Sequence, residues 1–268
     1  MTTLRRASLL LLPLLAVCAR AQVDPPPAPE PAATPPATPP PAGAPSMHAA
    51  FDRLLREHVA DGLVDYAAIR DGDRDVLRSY LDRLAEVDPA DLGRDARFAF
   101  YVNLYNAAMI EAVLDHTAKR PQWTPAADDF AVFKEPRVRL AKGKVTLDHL
   151  ENEILRPRFE DARVHVALVC GARSCPPLLP RAYEAADLDR VLDANMKAFL
   201  HDPARNRIDH ETRTARLSRI FEWFAADFGG EAGVRALLAR HHGDAVARYR
   251  ITYLDYSWEL NRQPPKKR

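Results

Sequence analysis

The spacing of apolar residues predicts helices in the first half of the chain. Residues 48–61 place apolar side chains three or four positions apart, and an Asp-Gly pair ends the run. The same spacing covers residues 75–86 and, over the longest stretch, residues 95–118. The apolar stripe of 95–118 is wide, which is typical of a helix that passes through the centre of a domain.

The pattern in the second half predicts short strands between helices. Residues 138–147 alternate on both sides of a Gly-containing turn, which indicates a β-hairpin, and we expect a helix over 148–155. Residues 163–169 form an apolar run that ends at Cys170-Gly171. Such a run is typical of a strand that is covered on both faces, so we predict that it is the central buried strand.

The remaining elements follow an irregular order. We expect a polar hairpin over 207–217 and a closing strand over 250–258. Three more helices are expected over 187–199, 219–228 and 232–240. Helices and strands do not follow a regular βαβ alternation. The predicted fold class is therefore α+β, a single domain with several helices around a small mixed or antiparallel sheet.

The first 21 residues have the pattern of a cleaved signal peptide. Arg5 and Arg6 precede an apolar stretch over 9–18, and Ala19-Arg20-Ala21 fits the small-x-small cleavage rule. The stretch is too short to span a bilayer, so we expect no transmembrane segment in the mature chain. A lipoprotein anchor at Cys18 is the alternative, although Val17 occupies a position that usually holds a smaller residue. We predict a periplasmic or secreted protein.

A linker separates this signal from the domain. Between residues 22 and 45, 17 of 24 residues are Pro or Ala, a composition that favours an extended polyproline II spacer. The globular domain is predicted over 46–261, and residues 262–268 form a basic tail.

Composition and charge limit the choice of partner. The chain is 47% hydrophobic and has a formal net charge of +1, which excludes a disordered protein and a polybasic nucleic-acid binder. We therefore expect no nucleic-acid partner. The predicted partner is a small molecule or a peptide, with a cell-envelope protein as a further candidate, and we predict no cofactor.

The candidate chemistry is concentrated at residues 165–177. Cys170 and Cys175 are the only cysteines after residue 21, and an oxidising compartment favours a disulfide between them. The alternative is a nucleophilic thiolate with His165 or His149 as its base. On a straight strand His165 and Cys170 would point to opposite faces, which prevents a direct pair. Zinc binding by His165, Cys170 and Cys175 lacks the usual ligand spacing, so we predict no metal.

Polar residues within apolar surroundings give further candidates for a binding site. Asn103 and Asn106 share one face of the long helix, where their amides either brace loop backbone or contact a ligand directly. Glu151 faces the core of the following helical region. It is expected to pair with Arg156, Arg158 or Arg173, or to act as an acid or base.

Five blocks of sequence carry a family resemblance. In chain order they are Phe100-Tyr-Val-Asn103-Leu-Tyr-Asn106-Ala107, Leu147-Asp-His-Leu-Glu151-Asn-Glu-Ile-Leu-Arg156-Pro157, His165-Val-Ala-Leu-Val-Cys170-Gly-Ala-Arg-Ser-Cys175-Pro-Pro177, Ser218-Arg-Ile-Phe221-Glu-Trp223-Phe-Ala-Ala-Asp227-Phe228 and Tyr256-Ser-Trp258-Glu-Leu-Asn261. Together they resemble the DUF547 domain family, whose function is undefined. The resemblance covers nearly the whole globular part.

The resemblance assigns the same polar positions that the pattern singled out. These are Asn103, Asn106, Glu151, His165, Cys170, Arg173, Ser174 and Cys175. The chain departs from the family at Asn152, where a histidine is frequent, and at Ser257, where an aspartate is frequent. Plant members that resemble this family often lack a counterpart of Cys175, which favours Cys170 as the nucleophile and Cys175 as its disulfide or resolving partner.

Two functions follow as hypotheses. The first is a ligand- or protein-binding module of the cell envelope with its pocket at the 170–177 loop, in which Arg173 and Ser174 contribute to binding. The second is a thiol-dependent hydrolase or transferase that acts on a peptide or amide. A redox role ranks below both, because Cys-x4-Cys is not the Cys-x-x-Cys redox spacing.

Overall fold

The structure is a computed structural model that describes residues 46–264. The predicted signal peptide, residues 1–21, and the linker, residues 22–45, lie outside the described residues, as do positions 265–268 of the basic tail. Within 46–264 no helix is both long enough and apolar enough to cross a membrane.

The first elements are a helix and a small hairpin. Helix α1 (Ala49–His58) buries one apolar face, and strands β1 (Val59–Ala60) and β2 (Leu63–Val64) pair antiparallel after it. The turn between them needs Gly62, which has a φ of 75° and whose added Cβ would lie 2.4 Å from Cβ of Pro177. This close approach packs the hairpin against the end of the 170–177 loop.

Helix α4 (Arg94–Lys119) confirms the predicted long helix and forms the centre of the larger core. Helix α2 (Tyr66–Ala68) continues as a π-helical turn into α3 (Arg74–Ala85), which contacts α4. Nearly every side chain of α4 between positions 98 and 114 is buried. A helix buried on all sides presents a fixed surface from which polar residues can hold neighbouring loops.

The predicted hairpin is confirmed, and the helix after it is longer than expected. After α5 (Ala127–Lys134), strands β3 (Val138–Leu140) and β4 (Gly143–Val145) pair antiparallel. Helix α6 (Leu147–His149) then continues through a π-helical segment, Leu150–Leu155, into α7 (Arg156–Phe159). Pro157 does not stop the helix: it lies just after the π-helical segment, where the Arg156 N–H already bonds five residues back to the Glu151 carbonyl.

The predicted central strand at 163–169 is wrong. The structure has a single helical turn, α8 (Val164–Ala167), followed by extended backbone at Leu168. The residues are buried as expected. A fully buried helical turn and a buried strand both appear as continuous apolar runs, so periodicity does not separate them.

The α+β class is confirmed by a small mixed sheet. Strand β6 (Thr214–Leu217) pairs antiparallel with β5 (Arg207–Asp209) and parallel with β7 (Arg250–Tyr253). The sheet packs with the helices α9, α10 and α11, which span Leu188–His201, Ile220–Trp223 and Gly230–His242. Strand β7 is shorter than predicted, and the chain after it runs past the 170–177 loop, where Leu260 forms a bridge with Ala172.

Candidate functional site

A cavity of about 250 Å³ opens beside the loop that follows α8. Its walls come from six parts of the chain: α4, α5, the α6–α7 region, α8 with the 168–176 segment, the α10 region, and residues 256–258. The lining residues are Tyr105, Phe130, Phe133, Asp148, Glu151, His165, Leu168, Cys170, Cys175, Pro176, Ile220, Trp223, Phe224, Tyr256 and Trp258. Both cysteines and the buried histidine of the sequence prediction therefore lie on one cavity.

Asn106 positions the backbone that leads into the site. Its Nδ2 donates to the carbonyl of Ala167 at 2.9 Å, and its Oδ1 accepts from the N–H of Val169 at 2.9 Å. Asn103 makes the equivalent pair of bonds to the backbone of Tyr183, at 2.8 and 3.0 Å. Both amides are buried and bond loop backbone, and neither lines the cavity.

The two thiols contact each other, and both are free. The expected disulfide is thus not formed in the structure. The Cys170 backbone N–H donates to Sγ of Cys175 at 2.9 Å, and Sγ of Cys170 lies 3.4 Å from the Tyr256 hydroxyl. Burial raises the pKa of the Cys170 thiol, but hydrogen bonds from Cys175, Tyr256 and the Ala172 backbone outweigh it and lower the pKa. Burial and the neighbouring Cys170 raise the pKa of Cys175 well above its ordinary value, so Cys170 is the thiol that ionises first.

Several hydrogen bonds fix the 170–177 loop without a disulfide. Ser174 Oγ accepts from the N–H of Ser257 at 2.9 Å, and the Ser174 N–H donates to the Ser257 carbonyl at 3.2 Å. The Arg205 guanidinium donates to the carbonyls of Cys175 and Arg173, at 2.6 and 3.0 Å. The Arg173 side chain itself is exposed. The Ser174 side chain and Arg205 therefore hold the loop in place, and neither Ser174 nor Arg173 lines the cavity.

His165 is buried and pairs with Asp227 at the edge of the cavity. The distance from Nε2 to Oδ2 of Asp227 is 2.7 Å, and the ring stacks on Phe224 with centroids 3.9 Å apart. Burial lowers the pKa of His165 to about 4 although Asp227 opposes this shift, so the imidazole is neutral at pH 7. Because an ionised carboxylate only accepts, Nε2 carries the proton, and the lone pair of Nδ1 faces Oε1 of Glu151 at 4.0 Å.

Arg156, one of the three arginines expected to pair with Glu151, forms its ion pair with Asp227 instead. Arg156 donates to both Asp227 oxygens, at 2.6 and 3.0 Å, and to Oδ1 of Asn152 at 2.7 Å. The hydrogen bonds from Arg156 and His165 lower the pKa of Asp227 despite partial burial. Asp227 is therefore ionised and holds both His165 and Arg156.

Glu151 lies in the π-helical segment and faces the cavity. Its side chain is 17% exposed, and the Tyr105 hydroxyl donates to Oε2 at 3.3 Å. Burial raises the pKa of Glu151 to about 7, because Arg156 and Tyr105 offset only part of the desolvation. A carboxyl that exchanges its proton near neutral pH is suited to acid–base catalysis.

His149, the second candidate base, does not line the cavity. It is exposed, and its backbone N–H donates to Oγ1 of Thr146 at the start of α6. The structure does not bring His149 together with either thiol.

Four aromatic rings form one side of the cavity, which we call the aromatic wall: Phe130, Trp223, Tyr256 and Trp258. Ring centroids lie 4.8 Å apart for Phe130 and Trp258, 4.6 Å for Tyr256 and Trp258, and 4.9 Å for Trp223 and Tyr256. Trp223 is 46% exposed, an unusual value for so large an apolar side chain. The wall therefore runs from the surface to the Cys170 sulfur.

Sequence reasoning did not single out Asp227, Tyr256, Tyr105 or Arg205. Asp227 lies 62 positions from His165, and Tyr256 lies 86 positions from Cys170, so no local spacing connects them. Asp227, Tyr256 and Tyr105 do occur inside the five family-like blocks, and this was the one signal that could have identified them.

The described residues also bear on the zinc alternative. Three side chains bring ligand atoms within 4.8 Å of one another at Glu57, His58 and Asp73, away from the cavity. Within 46–264 the set His165, Cys170 and Cys175 does not form such a group.

Fold and site together define an α+β domain whose cavity combines a paired thiol, a neutral histidine held by aspartate, and a carboxyl that titrates near neutrality. Residues 89–200 match the family model described as "Protein of unknown function, DUF547", so the resemblance noted from the sequence is confirmed over this range. The match includes Glu151, His165 and both thiols but ends before Asp227 and the residues of α10. No curated protein and no solved structure matches the chain.

Proposed function

We propose that the domain is a thiol-dependent hydrolase or transferase that acts on a peptide or amide, with Cys170 as the nucleophile. One observation carries the proposal: Sγ of Cys170 lies 3.4 Å from the Tyr256 hydroxyl, in a cavity that also holds Cys175 and Glu151. Hydrogen bonds to sulfur stabilise the thiolate, which is the reactive form. This nucleophile needs no histidine in direct contact to remove its proton.

The proposed reaction has two steps. The Cys170 thiolate attacks the carbonyl carbon of the amide, a C–S bond forms, the C–N bond breaks, and the leaving amine takes the proton of Glu151. Water or an acceptor amine then attacks the thioester and gives a proton to the Glu151 carboxylate. The C–S bond breaks, and Cys170 leaves as the thiolate.

His165 and Asp227 have a positioning role in this scheme. Asp227 fixes the imidazole tautomer, so that the Nδ1 lone pair faces the Glu151 carboxyl and orients its proton. Tyr256, which donates to the resting thiolate, is released as the sulfur loses its charge and can donate to the developing oxyanion.

The experiment that tests this proposal is acyl-enzyme trapping. The reduced 46–268 domain is mixed with p-nitrophenyl acetate, the nitrophenolate burst is followed by absorbance, and the protein is weighed intact. We expect one acetyl group on Cys170 in the wild type and in Cys175→Ser, and none in Cys170→Ser. A folded wild-type protein that shows no burst, or a burst that persists in Cys170→Ser, contradicts the proposal.

A second candidate function is a binding module without chemistry. It is favoured by the loop, which Asn106, Arg205 and Ser174 hold in a preformed shape without a disulfide. A Cys170→Ser variant that keeps full biological activity supports this candidate. For either function we place the protein in the periplasm or outside the cell, on the strength of residues 1–21.

A further inference from the structure

The charged residues that line the cavity are both acidic. They are Asp148 and Glu151, and neither lysine nor arginine is among the described lining residues. The nearest cations are held elsewhere: Arg156 by Asp227 and Asn152, and Lys134 by the backbone and carboxylate of Asp129. His165 is neutral. Within 46–264, neither lysine nor arginine therefore forms an ion pair with the two carboxyls that line the cavity.

Asp148 is the clearest case of an unpaired carboxylate. It is half-buried in the first turn of α6, and within 46–264 it has neither a hydrogen bond nor an ion pair. Burial raises its pKa, and only Lys134 lowers it. A desolvated carboxylate without a partner gains stability when a cation from a ligand approaches it.

The aromatic wall suits the same kind of ligand. Ring faces attract cations, and tryptophan does so most strongly. The planes of Trp223 and Trp258 lie within 18° of each other with centroids 6.1 Å apart, and Tyr256 is inclined by about 50° to both. This arrangement offers ring surface next to two carboxyls, and it leads inward to the Cys170 sulfur.

We propose that the cavity selects acyl substrates that carry a primary amine, such as a lysine-like side chain, and that the ammonium group binds between Asp148 and the aromatic wall. The proposal rests on the proposed thiol chemistry for the reaction, whereas the binding of the ammonium group does not depend on that chemistry. Charge complementarity distinguishes this ligand from an apolar one, because an apolar group would bury Asp148 without compensating it.

The test compares two esters that differ in one functional group. N-acetyl-lysine p-nitrophenyl ester and its 6-hydroxynorleucine analogue are reacted with the reduced domain at pH 6, where the lysine amine is charged. We expect kcat/KM to be roughly tenfold higher for the lysine ester. In Asp148→Asn this ratio should fall below about three. A wild-type ratio near one overturns the proposal.

Glu153→Gln is the matched control. Glu153 is an exposed acid five positions along the same helical region, it does not line the cavity, and its loss changes the net charge by the same amount. The ratio should therefore stay at its wild-type value. An equal fall in Glu153→Gln and Asp148→Asn would show long-range attraction and would overturn the assigned contact.

A second measurement separates failure of this proposal from failure of the chemistry. Butylammonium and butanol are titrated into Cys170→Ser while the tryptophan fluorescence is recorded. We expect saturable quenching by butylammonium only, weakened when Asp148→Asn is added. If neither ester acylates the wild type but this quenching occurs, the thiol chemistry is wrong and the amine site stands. If acylation occurs without amine preference and without quenching, the amine site is wrong.

Discussion

The Nε2 atom of His165 lies 2.7 Å from Oδ2 of Asp227, and the same carboxylate receives two hydrogen bonds from Arg156. Burial keeps the imidazole neutral, so Asp227 determines which ring nitrogen carries the proton. This contact gives the lone pair of Nδ1 its direction towards Glu151.

Asp227→Asn should reverse that tautomer. An asparagine amide can donate to Nε2, which moves the proton to Nδ1, and Arg156 loses its charged partner. With a p-nitroanilide, whose leaving amine needs a proton, we expect kcat for acylation to fall by roughly tenfold to a hundredfold with little change in KM, because the substrate-binding surfaces are retained. Stopped-flow release of p-nitroaniline measures the rate, and 15N chemical shifts of His165 measure the tautomer.

Asp193→Asn is the control for this variant, since Asp193 pairs with Arg163 at the surface. It should leave both the rate and the tautomer unchanged. An Asp227→Asn protein whose His165 shifts match the wild type would refute the assigned role.

Cys170 should react with iodoacetamide faster at pH 6 than an ordinary thiol does, while Cys175 stays protected. Tyr256→Phe removes one hydrogen bond to the sulfur and should raise the Cys170 pKa. Because only the thiolate reacts, each pKa unit of increase should slow the reaction at pH 6 by roughly tenfold. Intact-mass kinetics of the reduced protein measure the rate at several pH values.

Tyr253→Phe is the matched control for the tyrosine change. Tyr253 is half-buried and packs against the smaller core, away from both thiols. Equal rates for wild type and Tyr256→Phe at pH 6 would argue against a thiolate stabilised by this hydroxyl.

Asn106→Ala should destabilise the domain more than an ordinary surface truncation. It removes both bonds to the loop and leaves the Ala167 carbonyl and the Val169 N–H buried without partners. Each unpaired group costs about 1–3 kcal/mol, so we expect the free energy of unfolding to fall by about 2–6 kcal/mol. Urea denaturation followed by circular dichroism measures it.

Gln122→Ala, an exposed amide truncation, should change that free energy by less than about 0.5 kcal/mol. If Asn106→Ala costs no more than this control, the amide does not brace the loop.

Glu151→Gln should stabilise the protein at alkaline pH and not at acid pH. The pKa of Glu151 is about 7 in the folded protein against an ordinary 4.5, so the folded state binds this proton more tightly than the unfolded state. The unfavourable contribution of Glu151 is absent below pH 4.5, grows as the pH rises, and is complete above about 7. At pH 8 the variant should be more stable by about 3 kcal/mol.

Denaturation midpoints of wild type and Glu151→Gln between pH 4 and 8 test this difference, with Glu153→Gln as the charge-matched control. A constant difference across the range would mean that burial does not raise the Glu151 pKa. In Glu151→Gln the rate of acylation by a p-nitroanilide should fall as well, because glutamine has no acidic proton to give to the leaving amine.

The sequence by itself determined the elements whose signal is local. Helix α4 was predictable over nearly its full length because its apolar stripe repeats over about five turns with no competing pattern. The β3–β4 hairpin was predictable because a glycine-containing turn lies between alternating residues. The two asparagines were predictable as polar groups in an apolar stripe, since a buried amide must find partners.

Only the tertiary structure decided the conformation of the 164–167 segment and the partners within the site. A buried apolar run has no periodicity that distinguishes a helical turn from a strand. In the folded protein residues 164–167 form a helical turn that packs against α9. Asp227 reaches His165, and Tyr256 reaches Cys170, across long stretches of chain, and such contacts depend on how the whole core packs. Local patterns encode the elements, while the proton positions and thiol ionisation arise from burial and from partners that no local pattern specifies.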